Sequence, residues 1–481
     1  MSATVHETER GLGRGGRKET GILVGVALRG DAEGWSLEAS MEELEALADS
    51  AGVRIVGRLT QQLDQANRAT LVGSGKVEEI KALAAELQAD VVLVDRDLTP
   101  HQQRNLERAL DLKLIDRTAL ILDIFARHAR SREGMLQVEL AQMEYRLPRL
   151  TRMWTHLARQ AGGRAGGGVG LRGPGETQIE IDRREIGRRI SFLKAQIETL
   201  RAQRRRSRRQ RKQAGLPVVA VVGYTNAGKS TLLNALSGSQ IHAADQLFAT
   251  LDPTTRRVTL PSGRVALFTD TVGFIQNLPT QLVSAFSATL EEVAEADLLL
   301  QVIDVTHPDA VGQAETVERV LAELGLADSP MVVAGNKVDR LGDEPTTADA
   351  GAPDEDWERL DPDDPLRGHA LETLQAVIYP DLVPISARDG AGMARLLAAV
   401  ESALTEQLIS VRLRIPYASG EVLHRVHQHG VVGAERHDEH GSVIEARVPR
   451  YLLGGLERFV EPADGPLTQP IIDGEPSGAA G

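Results

Sequence analysis

Apolar positions fall into two kinds of block along the chain, and the blocks predict different elements. Unbroken, β-branched runs at 22–28, 53–59 and 91–94 read as strands, and the amphipathic stretches 41–51 and 77–87 between them read as helices. This alternation predicts a small layered α/β unit. A second set of buried-strand runs, 216–222 (LPVVAVV), 265–268, 330–334 (PMVVA) and 381–385, predicts a sheet covered on both faces. Between the two sets, Leu136, Leu140, Met143, Leu147 and Leu150 recur at steps of four and three, as do Ile186, Ile190, Leu193, Ile197 and Leu200. That is the spacing of a coiled-coil seam. Pro148 should kink the first helix or mark its last turns. Residues 162–175 hold eight glycines and cannot pack a core, so the pattern predicts an antiparallel helical hairpin with a long flexible tip. Near the end, 410–415 alternates like a strand, 421–428 fits a helix, and 430–448 reads as a hairpin turning near 439–441.

Length and composition then set bounds. The 481 residues suffice for about three domains. No run of eighteen apolar residues exists and no apolar stretch follows the basic start, so neither a membrane span nor a secretory signal is expected, and a cytoplasmic protein is. The chain has no cysteine, which excludes disulfides, thiolate catalysis and cysteine-ligated zinc. The net charge of −13 argues against a polyanionic partner until its distribution is read. Between residues 183 and 212 stand thirteen Lys or Arg and two acids, so pairing within that stretch cannot neutralise the face. Arg204, Arg205, Arg206, Arg208 and Arg209, with Arg159, Arg164 and Arg172 around the glycine-rich tip, are the candidate RNA-binding residues.

The chemistry centres on GYTNAGKST: Gly223, Tyr224, Thr225, Asn226, Ala227, Gly228, Lys229, Ser230 and Thr231. It fits GxxxxGK[ST] between a strand and a helix, where backbone N–H groups and a helix N-terminus cradle phosphates. Lys229 neutralises them, and the Ser230 hydroxyl suits Mg²⁺. Asp270, Thr271, Val272 and Gly273 (DTVG) end the next strand, where the carboxylate reaches the outer Mg²⁺ shell and Gly273 can donate its N–H to a γ-phosphate. Asn336, Lys337, Val338 and Asp339 (NKVD) follow another strand. A carboxylate accepts only, so Asp339 matches the paired donors of guanine and finds no such pair on adenine. Ser386, Ala387 and Arg388 (SAR) supply a backbone contact to the base.

These four elements, in order, resemble a translation-factor-class P-loop GTPase. The segment FATLDPTTR (Phe248, Ala249, Thr250, Leu251, Asp252 and onward) and the glycine-rich GGGVGLRGPGETQIEIDRR narrow the resemblance to the HflX family of bacterial ribosome-associated GTPases, from about residue 21 to 460. The resemblance implies that Thr250 is the switch I threonine closing over γ-phosphate and Mg²⁺, with Thr254 and Thr255 as alternatives. It implies that Asn226 either helps hold K⁺ beside the phosphates or only stabilises its loop. In Ras-like enzymes a glutamine follows the DxxG glycine and orients the attacking water. Here Phe274 stands there, so intrinsic hydrolysis should be slow unless another group, a bound cation or a partner supplies the function.

The fold expected is therefore α/β multidomain. It has an N-terminal α/β unit (21–120, after a tail 1–20), a helical-hairpin arm (121–214), a P-loop G domain with a doubly wound, mostly parallel sheet (215–407, acidic insertion 341–370), a small α+β domain (408–460) and a tail (461–481). The implied partners are GTP and GDP, the large ribosomal subunit and its rRNA, with the protein monomeric off the ribosome. The implied activity is GTP hydrolysis coupled to dissociation or rescue of stalled or idle ribosomes, including under heat stress. Two other readings stand beside it: an ATP- and GTP-dependent rRNA remodeller using the GSGK loop at 73–76, and an assembly or hibernation factor holding GTP as a structural ligand. His424, His427, His429, His437 and His440 lack the spacing of a zinc site.

Overall fold

The computed structural model describes residues 18–29, 36–150, 174–213, 216–238, 247–248, 251–276, 287–341, 374–449 and 452–461; within them, the side chains of 174–179, 205–213, 287–289, 376–377 and 428–429 lie outside the description. Four parallel strands open the fold: β1 (Thr20–Leu28), β2 (Arg54–Leu63), β3 (Val91–Val94) and β4 (Lys113–Asp116), in the order β2-β1-β3-β4. Side chains alternate across β1 and so feed two cores. Ile22, Val24 and Val26 pack with α2 (Ser74–Glu86) and α3 (Pro100–Leu110). Leu23 packs with α1 (Leu37–Ser50) and α4 (Arg117–His128) on the other face.

The pair α3 and β4 has no counterpart among the sequence expectations. The helix is largely polar and buries only Gln102, Leu106 and Leu110, and its start is fixed by a capping box between Thr99 and Gln102. The strand is four residues long. One boundary also moves. Residue 120, the expected end of the first domain, lies inside α4, whose Leu120, Ile121, Ile124 and Phe125 share a core with Leu23 and Leu44. The helix therefore packs with the N-terminal unit.

The arm pairs α5 (Arg132–Arg146) with α6 (Pro174–Gln213), a helix of 40 residues spanning about 60 Å at 1.5 Å per residue. The first helix ends two residues before Pro148. Leu140, Leu193 and Ile197 form the buried seam, flanked by Leu136, Met143 and Ile190, as the spacing predicts. Arg132 meets Gln196 while Glu139 meets Arg189, so the helices run antiparallel. The glycine-rich tip and Arg159, Arg164 and Arg172 lie outside the described residues.

The third unit is a six-stranded sheet in the order β10-β9-β8-β5-β7-β6. Its strands are β5 (Val218–Gly223), β6 (Thr254–Thr259), β7 (Val265–Asp270), β8 (Leu298–Asp304), β9 (Met331–Asn336) and β10 (Val383–Pro384). Every pairing is parallel except β6 with β7. Helices α7 (Lys229–Ser237), α8 (Ser287–Ala294), α9 (Ala310–Glu323) and α10 (Met393–Glu406) surround it. The acidic insertion falls almost wholly outside the described residues. A final antiparallel sheet, β11-β13-β12, joins β11 (Ile409–Ile415), β13 (Gly441–Val448) and β12 (Val431–Asp438), with α11 (Gly420–His429) packed on it. Among the described residues no helix is long and apolar enough to cross a membrane.

Besides a core of its own on one face, each of the N-terminal unit and the nucleotide-binding sheet contributes to one shared core. Leu120, Ile121 and Phe125 lie in one buried cluster with Tyr224, Phe248, Leu251, Val272, Phe274 and Ile275. Apolar burial of this extent ties the two units into one body.

Candidate nucleotide site

The loop between β5 and α7 lies at the carboxyl end of the parallel strands, where open α/β sheets place ligands. Gly228 caps α7 at φ 96°, and a Cβ there would strike the Asn336 side chain. No other residue meets both conditions. Lys229 begins the helix and is buried, its Nζ donating to the Tyr224 carbonyl at 2.7 Å. Ser230 Oγ donates to Asp270 Oδ2 at 2.6 Å, so the hydroxyl and carboxylate singled out for Mg²⁺ are side by side. Gly273 passes so near the loop that a Cβ on it would lie 2.8 Å from Thr225 Cα and 3.0 Å from Lys229 Nζ. The backbone then stitches the two segments together: Thr225 N–H donates to the Phe274 carbonyl at 2.8 Å, and Phe274 N–H to the Gly223 carbonyl at 3.0 Å.

The base-recognition elements are brought together by Asn336. Its Nδ2 donates to the Ala227 carbonyl at 2.8 Å and its Oδ1 accepts from Ala387 N–H at 2.9 Å. One buried amide thus locks the phosphate loop to the SAR segment. Ser386 Oγ donates to Asp339 Oδ1 at 2.8 Å and fixes that carboxylate. Lys337, at φ 71°, places its ammonium 2.6 Å from Asp304. Val338 N–H donates to the Ile385 carbonyl. Arg388 points into solvent.

Burial pushes the Lys229 ammonium down to about 8, against the opposing pull of Asp270. The lysine therefore carries its full charge below that pH and loses it above. A phosphate that depends on the charge should bind more weakly as pH rises past about 8, by up to tenfold per pH unit. Equilibrium titration with a fluorescent GTP analogue between pH 7 and 10 measures this; a flat profile would place the phosphate away from Lys229.

Several residues expected at the nucleotide turn their side chains elsewhere. Phe248 is buried against Phe125 of α4, ring centroids 4.6 Å apart and planes at 65°. Leu251 is buried in the same cluster. Thr271 Oγ1 donates to the Val221 carbonyl, which holds two strands together. The Asp252 carboxylate accepts from Arg130 N–H at 2.8 Å and Ser131 N–H at 2.6 Å, and from the Ser131 hydroxyl, so it reaches the arm. The Tyr224 hydroxyl donates to Glu43 of α1 and accepts from Gln276 N–H at 2.9 Å. Glu43 pairs with the buried Arg117, and Arg117 with Asp95 at 2.7 Å. Asp95 is itself pushed up to about 7 by burial. Glu43, Arg117 and Ser131 carry no sequence signal for this role. Ala249 and Thr250 lie outside the described residues, and Asn226 is exposed at φ 60°, a conformation asparagine tolerates.

The arm requires one correction. Arg204 does not stand free for RNA: it pairs with Glu133 at 2.9 Å and Glu292 at 4.0 Å, while Arg201 pairs with Glu291. The acids come from α5 and α8, beyond the local stretch in which the charges were weighed. Arg205, Arg206, Arg208 and Arg209 continue the same helix, their side chains outside the description. The GSGK loop starts α2, and Lys76 pairs with Glu79 at 2.6 Å, so it serves its own helix. His427 contacts Glu435 and His437 contacts Ser442; among the described residues no group of three or more such side chains could hold a metal.

Family descriptions "GTP-binding GTPase N-terminal", "GTP-binding GTPase Middle Region" and "50S ribosome-binding GTPase" match residues 38–126, 128–211 and 218–337. A "GTPase HflX" of Caldanaerobacter subterraneus is 44% identical over 92% of this chain and 94% of its own length. The protein of the same name from Escherichia coli is 42% identical over 85% of this chain and 89% of its own. Among solved structures, a GTP-binding protein from Sulfolobus solfataricus in complex with GDP is 24% identical, with a TM-score of 0.40, over 81% of this chain and 99% of that one.

Proposed function

Because the chain belongs to the HflX family of GTPases, and is therefore a GTP phosphohydrolase, we propose that it binds the large ribosomal subunit and uses the GTP cycle to dissociate or rescue stalled and idle ribosomes. A role under heat stress fits the same reading. The observation that carries it is α6: a 40-residue helix with thirteen cations and two acids between 183 and 212, of which Arg189, Lys194, Arg201 and Arg204 pair with acids of α5 and α8. Arg183, Arg184 and Arg188 are exposed on it. A surface of this kind reads the shape and phosphates of folded RNA. Pairing of Arg201 and Arg204 with α5 and α8 leaves contact with rRNA to the two ends, Arg205, Arg206, Arg208 and Arg209 at one and Arg159, Arg164 and Arg172 around the tip.

In the nucleotide site, Lys229 and the loop N–H groups hold the β- and γ-phosphates and offset the charge that builds up as the terminal bond breaks. The Ser230 hydroxyl and Asp270 carboxylate form an oxygen-only pair of the hardness Mg²⁺ prefers, and with Thr250 they would hold it; when bound, Mg²⁺ neutralises phosphate charge. Asn226 is the group from which K⁺ would be held. Phe274 is buried and cannot orient water, so turnover needs another group, a bound cation or a partner, and the ribosome is the partner that fits α6.

Sucrose-gradient sedimentation of intact ribosomes with this protein and GTP, GDP or a non-hydrolysable GTP analogue tests the reading. Free subunits should accumulate with both triphosphates and not with GDP. Equal profiles in all three would reject it.

A further inference from the structure

The phosphate loop and the residues that follow Asp270 are joined by backbone hydrogen bonds and, a second time, by a side chain. We propose that the Tyr224 hydroxyl is a positioning group for the γ-phosphate side of the site: anchored on Glu43 of the N-terminal unit, it holds the segment 273–276 in the place where GTP needs it. The proposal rests on the reading of Gly273 as the N–H donor to a γ-phosphate.

The segment lies against the phosphate loop along its length. Gly273 sits beside Thr225 and Lys229, and Phe274 pairs with Tyr224 in a parallel bridge, bonded to Gly223 and Thr225. Two residues on, Gln276 N–H donates to the Tyr224 hydroxyl oxygen at 2.9 Å. The hydroxyl proton goes to Glu43 Oε1. One phenol group therefore accepts from the segment and donates to α1, while its ring is buried in the shared core with Phe274 and Ile275.

Glu43 is in turn fixed from behind. Its other oxygen pairs with Arg117, the first residue of α4, and Arg117 reaches Asp95, just past β3, at 2.7 Å. Asp95 also accepts from the Ser40 hydroxyl at 2.5 Å. The side chains of Glu43, Arg117 and Asp95 are 8%, 3% and 5% exposed, so removing any one would leave another charge buried without its partner. A buried network of this kind has one arrangement, and it dictates where the Tyr224 hydroxyl stands. None of its members is assigned to the nucleotide. GTP differs from GDP only in the γ-phosphate, so a group that presets Gly273 favours GTP and leaves GDP unaffected.

Tyr224→Phe removes the hydroxyl and keeps the ring. In the full chain with Mg²⁺ and without ribosomes, titration calorimetry should show affinity for a non-hydrolysable GTP analogue falling about tenfold, the size of one buried hydrogen bond, while GDP affinity stays within about twofold. Glu43→Gln sets an amide donor against the donors of Arg117 and should shift the same ratio by about threefold; the double variant should fall no further than Tyr224→Phe alone. Ile121→Val trims the shared core away from the hydroxyl, and it should lower the melting temperature with the ratio unchanged. An unchanged ratio in Tyr224→Phe, or equal loss of both nucleotides, would overturn the proposal, as would a ratio that moves equally in Ile121→Val. Gly273→Ala measured alongside separates the two readings. Selective loss of the analogue there but not in Tyr224→Phe keeps Gly273 as the donor and rejects the role of the hydroxyl; selective loss in neither rejects both.

Discussion

Replacing Asp339 by asparagine should weaken GTP binding by at least about a hundredfold and create affinity for xanthosine triphosphate. In the proposed site the carboxylate would present two acceptors to the N1–H and amino donors of guanine, and Ser386 Oγ at 2.8 Å holds it in place. An asparagine turns one acceptor into a donor, which faces the guanine amino group and leaves both unpaired. Xanthine carries a carbonyl at that ring position, so the same amide then pairs correctly. Competition binding with GTP, ATP and xanthosine triphosphate gives the answer. ATP should remain a poor ligand in both proteins, because adenine presents an acceptor (N1) and a C–H where guanine presents two donors. Retained GTP preference in the variant would move guanine recognition to another residue.

Lys229→Ala should have the largest effect of any single change, lowering hydrolysis on the order of a thousandfold. The ammonium is buried beneath the phosphate loop at the start of α7, close enough to Gly273 that any Cβ there would press on it. In the proposed site its charge would be what draws the phosphates. Removing it leaves the loop N–H groups and the helix end, which can hold GDP weakly but cannot offset the charge of bond breaking. Folding should survive, since burial already costs this lysine part of its protonation, as the drop to about 8 records. Circular dichroism and GDP titration would establish that the protein is intact, and phosphate release would measure the loss. Hydrolysis within tenfold of the parent would mean that another cation does this work.

The strands, the seam and the four nucleotide elements could be read in the sequence because each is a local pattern with a local cause. Alternation in β1, the four-three spacing of α5 and α6, and GxxxxGK[ST] all state their geometry within a few turns of chain. What could not be read is where side chains go when the loop bearing them lies between two bodies. Phe248, Asp252 and Tyr224 sit beside nucleotide residues in the chain, and proximity along the backbone suggested proximity to the phosphates. Their side chains instead meet Phe125, Ser131 and Glu43, more than a hundred residues away. Arg204 makes the same point for charge. Weighed within its own helix it has no acid to pair with, but Glu133 and Glu292 come to it through the fold. Phe274 could be read as the wrong residue for orienting water; its burial in the joint core explains what an aromatic ring does there.

The joint core also has a consequence for how the chain is made. Phe125 leaves the ribosome roughly 150 residues before Phe274, an interval of about 10–30 s at ordinary rates of synthesis. During that time α4 has its first partners, β1 and α1, but lacks Phe248, Phe274 and Ile275 to close its remaining apolar side. The N-terminal unit is thus born with a sticky flank that only the later sheet can cover, and nascent chains arrested between the two are the species on which chaperones would act.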